Sequence, residues 1–334
     1  MKHTILTLLS GALLLLGMSS CQEDNFSGSN RLRLTASLCP TPYASRGTQV
    51  NTTGSDQALS TYSDIVTAFT ATCYEKEKTD TDYKTTAFFT ETVESDGSTG
   101  WTMENKYTWK SEASLRCFAY ANLPASGASV TQTSNTLMTL TYSAVPDSAS
   151  KQNDILLGYF EGTDTQDGKM PIVFSHPLTA VKFVEGTFKD GSGNNVDVTI
   201  KSIKMKNVYA SGTTTYTVAN GNGTGAAASN RYRTFTWTST GSKDVVSKGI
   251  DTPFILIPQD TQTPQVVVEV EVELEGSGKM TLVGDIKDKE WEPGVTNVYE
   301  MDFTFNGTPL LLLNLNPVTA YINMYSNGID TQFD

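Results

Sequence analysis

The stretch VVVEVEVELEG, residues 266–276, decides the fold class of this chain. Its valines and Leu274 alternate with Glu269, Glu271 and Glu273. Because successive side chains of a β-strand point to opposite faces, this alternation predicts a strand with one buried and one solvated face. Neighbouring glutamates of such a strand lie about 7 Å apart along one face, which is typical of a solvated surface and not of a cation site.

Similar short strands are predicted along the rest of the chain. Examples are DIVTAFTATCYEK at 64–76, SLRCFAYANLP at 114–124 and FILIPQ at 254–259. No stretch of comparable length shows a convincing 3.6-residue period. Many short strands separated by turn residues predict an all-β fold of two tandem antiparallel β-sandwich domains. The predicted domains are residues 31–170 and 171–334, with the boundary in the loop TDTQDGK.

The first thirty residues predict an exported protein. A short basic start precedes an apolar run that is too short to span a bilayer, which takes about 20 residues, and this is typical of a secretory signal. The run LGMSSC resembles a bacterial lipobox, so residues 1–20 are predicted to be a lipoprotein signal peptide and Cys21 to carry the lipid. The alternative is ordinary cleavage near Ser20 with Cys21 unmodified. Residues 21–30 are interpreted as a flexible tether.

The residues directly after Cys21 predict where the protein is displayed. Gln22, Glu23 and Asp24 look like the acidic tag that sends Bacteroidetes lipoproteins to the outer face of the outer membrane. A multiply acylated cysteine holds a protein firmly there, because each buried CH₂ contributes about 0.8 kcal/mol. The predicted location is therefore the outer membrane, on its exposed surface.

Composition and motifs exclude several function classes. The formal net charge of −12 argues against nucleic acid, since phosphate binding needs a basic surface. No phosphate-binding loop, dinucleotide fingerprint or metal-ligand spacing is present, so neither a cofactor nor a metal is expected. His176, the only histidine beyond the leader, has apolar neighbours, which favours a packed core or turn residue over a catalytic base. The protein is predicted not to be an enzyme.

The aromatic residues of WTMENKYTW have two interpretations. Trp101, Tyr107 and Trp109 fall on alternate positions of a predicted strand. They could stack on a sugar ring and so bind glycan. Such aromatics are more often core or sheet-face residues.

Three cysteines remain once Cys21 carries a lipid. Cys39, Cys73 and Cys117 would enter an oxidising compartment after export, where a disulfide can form. Cys73 and Cys117 both lie in predicted strands. A Cys73–Cys117 disulfide and unpaired buried thiols both stay open at this point.

Several patches, in this order, resemble the fimbrillins, the major and minor pilins of Bacteroidetes. NDILLGYFEG precedes PIVFSHPLTAVKFVEGTF, which resembles the central signature of the family through the residues Phe174, His176, Leu178, Val181 and Phe183. IKSIKMKNVYASG looks like the strand and turn that follow. FILIPQ and WEPGVTNVYEMDF match two later runs, and the whole resemblance covers roughly residues 21–305.

The resemblance implies a fold and a function. The family fold is two tandem sandwiches of transthyretin-like or Ig-like Greek-key type, and its members are exported as lipoproteins. A protease removes an N-terminal strand after an arginine or lysine, and a strand from another subunit fills the groove. The implied function is a structural subunit of a cell-surface fimbria that contributes to adhesion. Its implied partners are other fimbrial subunits, the outer membrane through the lipid, and a host or bacterial surface ligand. The alternative is a monomeric surface-exposed lipoprotein that binds glycan or a host protein.

Arg46 is the candidate processing site that this resemblance implies. It lies in TPYASRGTQV, a small and polar segment that follows the first predicted strand, RLRLTASL. Cutting there would release that strand together with the lipid. The alternative is that Arg46 is an ordinary loop residue.

The C-terminal run PLLLLNLNPV is the candidate donor strand. Its leucines, Leu310, Leu311, Leu312, Leu313 and Leu315, are more apolar than one sheet face needs. Such a strand promotes aggregation unless it is covered. The alternative is a buried C-terminal strand of the second sandwich.

Ser148 is a candidate glycosylation site. Asp147, Ser148 and Ala149 resemble the short Asp-Ser/Thr-aliphatic sites of Bacteroidetes O-glycosylation.

Overall fold

The computed structural model describes most of the chain between residues 32 and 318. The described ranges are 32–38, 57–58, 66–95, 101–163, 168–190, 192–217, 235–274, 278–287, 290–304 and 313–318. They contain twenty β-strands and one 3-10 turn, Ala149–Lys151, and no α-helix. The all-β prediction is confirmed. Within these ranges no helix has the length and apolarity needed to cross a membrane.

An eight-stranded sheet forms one side of the molecule. Its strands are β1 (Arg33–Leu38), β2 (Gln57–Ala58), β3 (Ala68–Lys76), β4 (Phe89–Ser95), β5 (Trp101–Met103), β6 (Ser114–Ala121), β9 (Leu156–Thr163) and β10 (Lys169–Ser175), in the order β2-β1-β10-β9-β6-β3-β4-β5. The backbone nitrogen of Leu32 donates to the carbonyl of Tyr107, shortly after β5, at 3.0 Å. The sheet therefore curls and brings the start of β1 close to the end of β5.

A six-stranded sheet packs against the first. Its strands are β7 (Ala128–Ser134), β8 (Leu137–Tyr142), β12 (Val198–Thr217), β13 (Thr236–Ser247), β16 (Val267–Leu274) and β17 (Gly278–Asp285). The long strand β12 pairs with β13 on one side. On its other side it pairs with β16 along its first half and with β8 along its second half. Asn207, at φ 66°, marks the register shift between the halves, since asparagine tolerates the left-handed conformation better than most residues.

Two smaller sheets complete the fold. One has β11 (Thr179–Lys189), β14 (Phe254–Leu256), β19 (Thr296–Thr304) and β20 (Leu313–Val318), in the order β14-β11-β19-β20. The other pairs β15 (Gln259–Asp260) with β18 (Glu290–Trp291). β16 carries the alternation predicted for it, with Val268, Val270 and Val272 buried and the glutamates between them partly exposed.

Two apolar clusters form the core. The smaller cluster lies inside the curled eight-stranded sheet and contains Phe69, Trp109 and Phe174. The larger cluster lies between the sheets and joins residues from the whole chain, for example Phe118 of β6 and Tyr299 of β19. β6 and β9 thus send neighbouring side chains to different clusters, for example Cys117 and Leu156 to the smaller one and Phe118 and Leu157 to the larger one, as a period of two requires.

The predicted boundary near residue 170 falls within β10. The six-stranded sheet combines β7 and β8, from before this boundary, with four strands from after it. The two-domain division, and the assignment to a transthyretin-like or Ig-like Greek key, both stay predictions.

Candidate functional site: the seat of the first strand

β1 pairs with only two other strands, β10 and β2. It pairs in parallel with β10 over six residues, from Arg33 opposite Lys169 to Leu38 opposite Phe174. On its other side it pairs with only two residues, Gln57 and Ala58 of β2. β1 therefore has one long hydrogen-bonded seam, and every other strand pairing except the short one with β2 is made without it.

The buried side of β1 enters the smaller core cluster. Leu32, Leu34 and Ala36 are 3–4% exposed, whereas Arg33 is exposed. Leu34 lies beside Met170, and Ala36 lies beside Ile172, on the neighbouring strand. We call the edge of β10 that pairs with β1, together with the buried residues Met170, Ile172 and Phe174 of β10, the β1 seat.

A disulfide lies next to the β1 seat. Cys73 of β3 and Cys117 of β6 are directly opposite each other, are fully buried, and form a disulfide in the structure. The Sγ of Cys117 is 3.8 Å from the Sδ of Met170. The disulfide thus lies against the β10 residue that is paired with Leu34. Cys39 lies outside the described residues.

The end of the candidate donor run forms β20. This strand pairs antiparallel with β19 and is the last strand of the four-stranded sheet. Leu313 and Leu315 are 4% and 2% exposed and belong to the larger core cluster. The first three leucines of the run, Leu310, Leu311 and Leu312, lie outside the described residues.

β20 also packs closely against β17 of the six-stranded sheet. A Cβ atom on Gly284 would lie 2.6 Å from the backbone oxygen of Leu313. Because real Cβ atoms do not approach backbone oxygen so closely, only glycine permits this spacing between the two strands.

Of the three aromatic residues Trp101, Tyr107 and Trp109, the two tryptophans pack against other residues of the protein. Trp109 is 1% exposed and donates its Nε1–H to the carbonyl of Ala113 at 2.9 Å. Trp101 packs on Phe69 with ring centroids 4.9 Å apart. Tyr107 is partly exposed. Trp109 therefore cannot stack on a sugar in this conformation, which leaves the core interpretation for this residue.

Lysines from neighbouring positions pair with the glutamates of β16. The Nζ of Lys206 lies 2.5 Å from Glu269, and the Nζ of Lys279 lies 2.7 Å from Glu271. The hydrogen bond from Lys206 lowers the pKa of Glu269. Among the described residues no group of three or more His, Cys, Asp or Glu side chains could hold a metal ion.

His176 is held in a buried polar contact at the end of β10. It is 6% exposed, and its Nδ1 lies 2.9 Å from an Oδ2 of Asp154. Pro177, the next residue, accepts a hydrogen bond from the Nε1–H of Trp237 at 2.7 Å. These contacts join β10, β13 and the segment before β9, which is a structural use for the histidine.

Three of the predicted sites stay predictions. Ser148 is partly exposed beside the 3-10 turn, with its Oγ 3.0 Å from that of Ser150, and its glycosylation is untested. Cys21 and Arg46 lie outside the described residues.

The parallel pairing of β1 with β10 could not be read from the sequence. A weak signal does exist, because RLRLTA and KMPIVF both have period two, with apolar residues on one side. Such a pattern shows that each strand is buried on one face, but it does not show which strand is its neighbour.

The chain is similar to a known protein family and to several solved structures. The model of a family described as fimbrillin-like matches residues 50–322. Among solved structures, the chain is similar to a fimbrial protein of Bacteroides vulgatus, with TM-score 0.50 and 13% identity over 86% of this chain and 98% of that chain. It is also similar to a candidate cell adhesion protein of Bacteroides ovatus, with TM-score 0.49 and 16% identity over 87% and 97%. These structural likenesses concern the fold alone. No curated protein matches the chain.

Proposed function

The chain belongs to the fimbrillin-like family, and from this premise we propose that it is a structural subunit of a cell-surface fimbria. It assembles by strand exchange after proteolysis removes β1, and it contributes to adhesion. Its partners are other fimbrial subunits and a ligand on a host or bacterial surface. The role requires no catalysis and no cofactor.

The observation that carries this proposal is the way β1 is seated. Loss of β1 would leave the backbone groups along one edge of β10 unpaired. It would also open an apolar slot beside Met170, Ile172 and Phe174. An unpaired edge next to an apolar slot is a template for another strand. Each leucine that fills such a slot contributes roughly 1.5–3 kcal/mol, so binding of a strand with apolar side chains stabilises the processed protein.

Proteolysis at Arg46 would produce this state. Arg46 lies between β1 and β2 in sequence, so one cut separates β1 and the lipid from the rest of the chain. The family match begins at residue 50, shortly after this point, and β1 lies outside it. This range supports a mature subunit that begins near Gly47.

The candidate donor is the C-terminal run with Leu310, Leu311, Leu312, Leu313 and Leu315. Its use as a donor requires β20 to leave β19, because Leu313 and Leu315 are buried in the larger core cluster. Since donor and seat are different surfaces, the contact between subunits is head-to-tail and can continue into a filament.

We also propose that a lipid on Cys21 holds the uncut precursor on the outer surface of the outer membrane. The support is the lipobox-like run and the acidic residues after it. Labelling of cells with a radioactive fatty acid should mark the wild-type protein and not the Cys21→Ser variant. Label on both proteins would remove Cys21 as the lipid site.

The main test is cleavage of the purified chain from residue 22 with an arginine-specific protease. We expect a new N-terminus at Gly47 by mass spectrometry, followed by a ladder of oligomers and by filaments in electron micrographs. Arg46→Lys should keep the protein uncut at this point and monomeric. Arg31→Lys is the matched control and should assemble like wild type.

Two results would contradict the proposal. One is a chain that begins at Gly47 and stays monomeric at high concentration. The other is a mature protein from cells that begins at Cys21 and binds a glycan or host protein as a monomer, which would support the alternative of a stand-alone surface lipoprotein.

A further inference from the structure

The solvent face of the six-stranded sheet changes its chemistry halfway along β12. The first half of β12 faces β16 and carries lysines paired with glutamates, such as Lys206 with Glu269. Past the bulge at Asn207, the same strand has threonines on its outer side. The sheet thus has a charged half and an uncharged half.

The uncharged half is a grid of hydroxyl side chains on four adjacent strands. One row runs in register across β7, β8, β12 and β13 and consists of Thr131, Thr139, Thr215 and Thr236. The next row consists of Ser129, Thr141, Thr213 and Thr238. We call these eight residues the hydroxyl face. The hydroxyl oxygens of Thr141 and Thr213 are 3.5 Å apart, so the side chains stand next to one another across the strands.

The hydroxyl face is turned to solvent. The alternate residues of the two central strands, β8 and β12, are buried, with Leu140, Tyr142 and Thr214 at 0% exposure. The residues of the hydroxyl face are exposed on the outer strands β7 and β13 and partly exposed on β8 and β12. The core therefore makes no use of these eight side chains.

We propose that the hydroxyl face is a lateral contact, in which it packs on the same face of a second copy in a neighbouring filament. This inference rests on the proposed function. The whole chain carries a formal charge of −12, so two copies repel each other over most of their surface. The two rows contain no ionisable side chain, which makes this face a place where two copies meet without that repulsion.

The chemistry of the face makes it complementary to itself. A hydroxyl both donates and accepts a hydrogen bond, so the hydroxyls of one face can form hydrogen bonds with those of an identical face. A two-fold contact needs such self-complementarity, because the same patch is used on both sides. The methyl groups of β-branched threonines also fit the pleated surface on which sheets pack about 10 Å apart.

The size of the face explains why the partner is a copy within a filament and not a free monomer. Four strands and two rows cover roughly 260 Å², from the strand spacing and rise. A stable dimer buries about 800 Å² on each partner, so one pair of faces is too small to hold. Two filaments would form many such contacts at once, and the resulting avidity compensates for the small area of each contact.

The test adds charge to the face. Thr139→Glu with Thr213→Glu places two carboxylates on diagonal positions. Thr92→Glu with Thr304→Glu is the matched control, with the same added charge at exposed positions of other sheets. Filaments of wild type and control should form side-by-side bundles in electron micrographs and pellet at low speed. Filaments of the face variant should stay single, with the pelleted fraction reduced about tenfold.

A second measurement does not need filaments. Beads coated densely with the uncut protein, attached at its N-terminus, should cluster for wild type and control, and a Thr139→Ser, Thr213→Ser variant should keep most of the clustering. Beads with the face variant should stay dispersed. If wild type makes no filaments but its beads cluster, the proposed function fails, whereas the contact between the hydroxyl faces of two copies is supported.

Three results would overturn the inference. The first is bundling or clustering by the face variant at the wild-type level. The second is wild type that neither bundles as filaments nor clusters on beads. The third is retention of wild type, but not of the face variant, on a dextran column without any clustering, which would assign the face to a neutral glycan instead.

Discussion

Two tyrosines show how single hydroxyl groups affect the stability of this core. Tyr142 is fully buried, and its hydroxyl has no hydrogen-bond partner within the part of the chain that the structure describes. Burial raises the pKa of Tyr142 to about 12, since it disfavours the charged form. Tyr299 is equally buried, but its hydroxyl accepts a hydrogen bond from Trp291 at 2.9 Å.

We therefore expect opposite effects from removing the two hydroxyls. Tyr142→Phe should leave the free energy of unfolding unchanged or raise it by up to about 1 kcal/mol, because it removes an unpaired polar group from the core. Tyr299→Phe should lower it by about 1–3 kcal/mol, because it leaves the Nε1–H of Trp291 unpaired. Urea denaturation of both variants measures the difference. A larger loss for Tyr142→Phe than for Tyr299→Phe would contradict this account.

A surface cluster predicts how stability depends on pH. Hydrogen bonds from Lys110 and then Lys84 lower the pKa of Glu77 from 4.5 to about 2. Since the folded pKa lies below the unfolded value, Glu77 stabilises the fold above about pH 4.5, and this contribution is lost as the pH falls towards 2.

Glu77→Gln should thus reduce stability at pH 7, and the difference from wild type should shrink below pH 4.5 and vanish near pH 2. Urea denaturation across this pH range measures it. The effect is small, because the cluster is exposed, and added salt should weaken it at neutral pH. A difference that stays the same at pH 7 and pH 2 would rule out this carboxylate as its source.

At the scale of elements, the curled sheet is stabilised by a covalent link, the disulfide between β3 and β6, and by the non-covalent pairing of β1 with β10. The disulfide between β3 and β6 closes 44 residues of chain, including β4 and β5. β1 is attached by its hydrogen bonds and by the buried side chains of Leu34, Ala36 and the preceding Leu32. Met170 is next to both, since it lies 3.8 Å from the Sγ of Cys117 and is paired with Leu34.

Removal of the disulfide should destabilise the protein strongly. A loop of this length is expected to contribute about 4 kcal/mol through the entropy of the unfolded chain. We expect Cys73→Ala with Cys117→Ala to lower the free energy of unfolding by 2–5 kcal/mol, on the order of the loss seen for native disulfides. A reducing agent should produce a similar loss in wild type and none in the double variant. Equal stability of wild type with and without reducing agent would contradict the prediction.

The β1 seat should accept its strand from solution. A chain that begins at Gly47 should gain thermal stability when a peptide of residues 30–38 is added, because the peptide restores the seam with β10. In the peptide, Leu34→Asp should weaken binding about 100-fold, from a loss of about 3 kcal/mol. Arg33→Asp is the matched control, because Arg33 is exposed, and it should bind like wild type. Equal binding of both variants would show that the peptide does not occupy the seat.

At the scale of the whole molecule, strands from before and after residue 170 pair with each other. β12 pairs with β8 at one end and with β16 at the other. The larger core cluster also contains residues from before and after residue 170, such as Tyr74 and Leu315. The strands on both sides of residue 170 therefore share a sheet and a core.

This connection predicts one cooperative unfolding transition for the uncut protein. Calorimetry should give a single peak whose calorimetric and van't Hoff enthalpies agree. Two separate peaks, together with independent folding of residues 171–334, would instead support the division near residue 170 into two domains.

The sequence alone determined the all-β class, because side-chain alternation in runs such as 266–276 depends only on local geometry. It also marked the two cysteines that form the disulfide as strand residues, but it left their pairing open. The hydroxyl face was not foreseen, because its threonines come from four runs of sequence that look unremarkable one by one.

Only the tertiary structure decided which strands are neighbours. It placed β1 in parallel beside β10, buried Leu313 and Leu315 in the larger core cluster, and aligned eight hydroxyl residues from four strands into two rows. The physical reason is that a period of two assigns each side chain to a face, whereas the pairing of distant strands is settled by how all the buried faces pack at once.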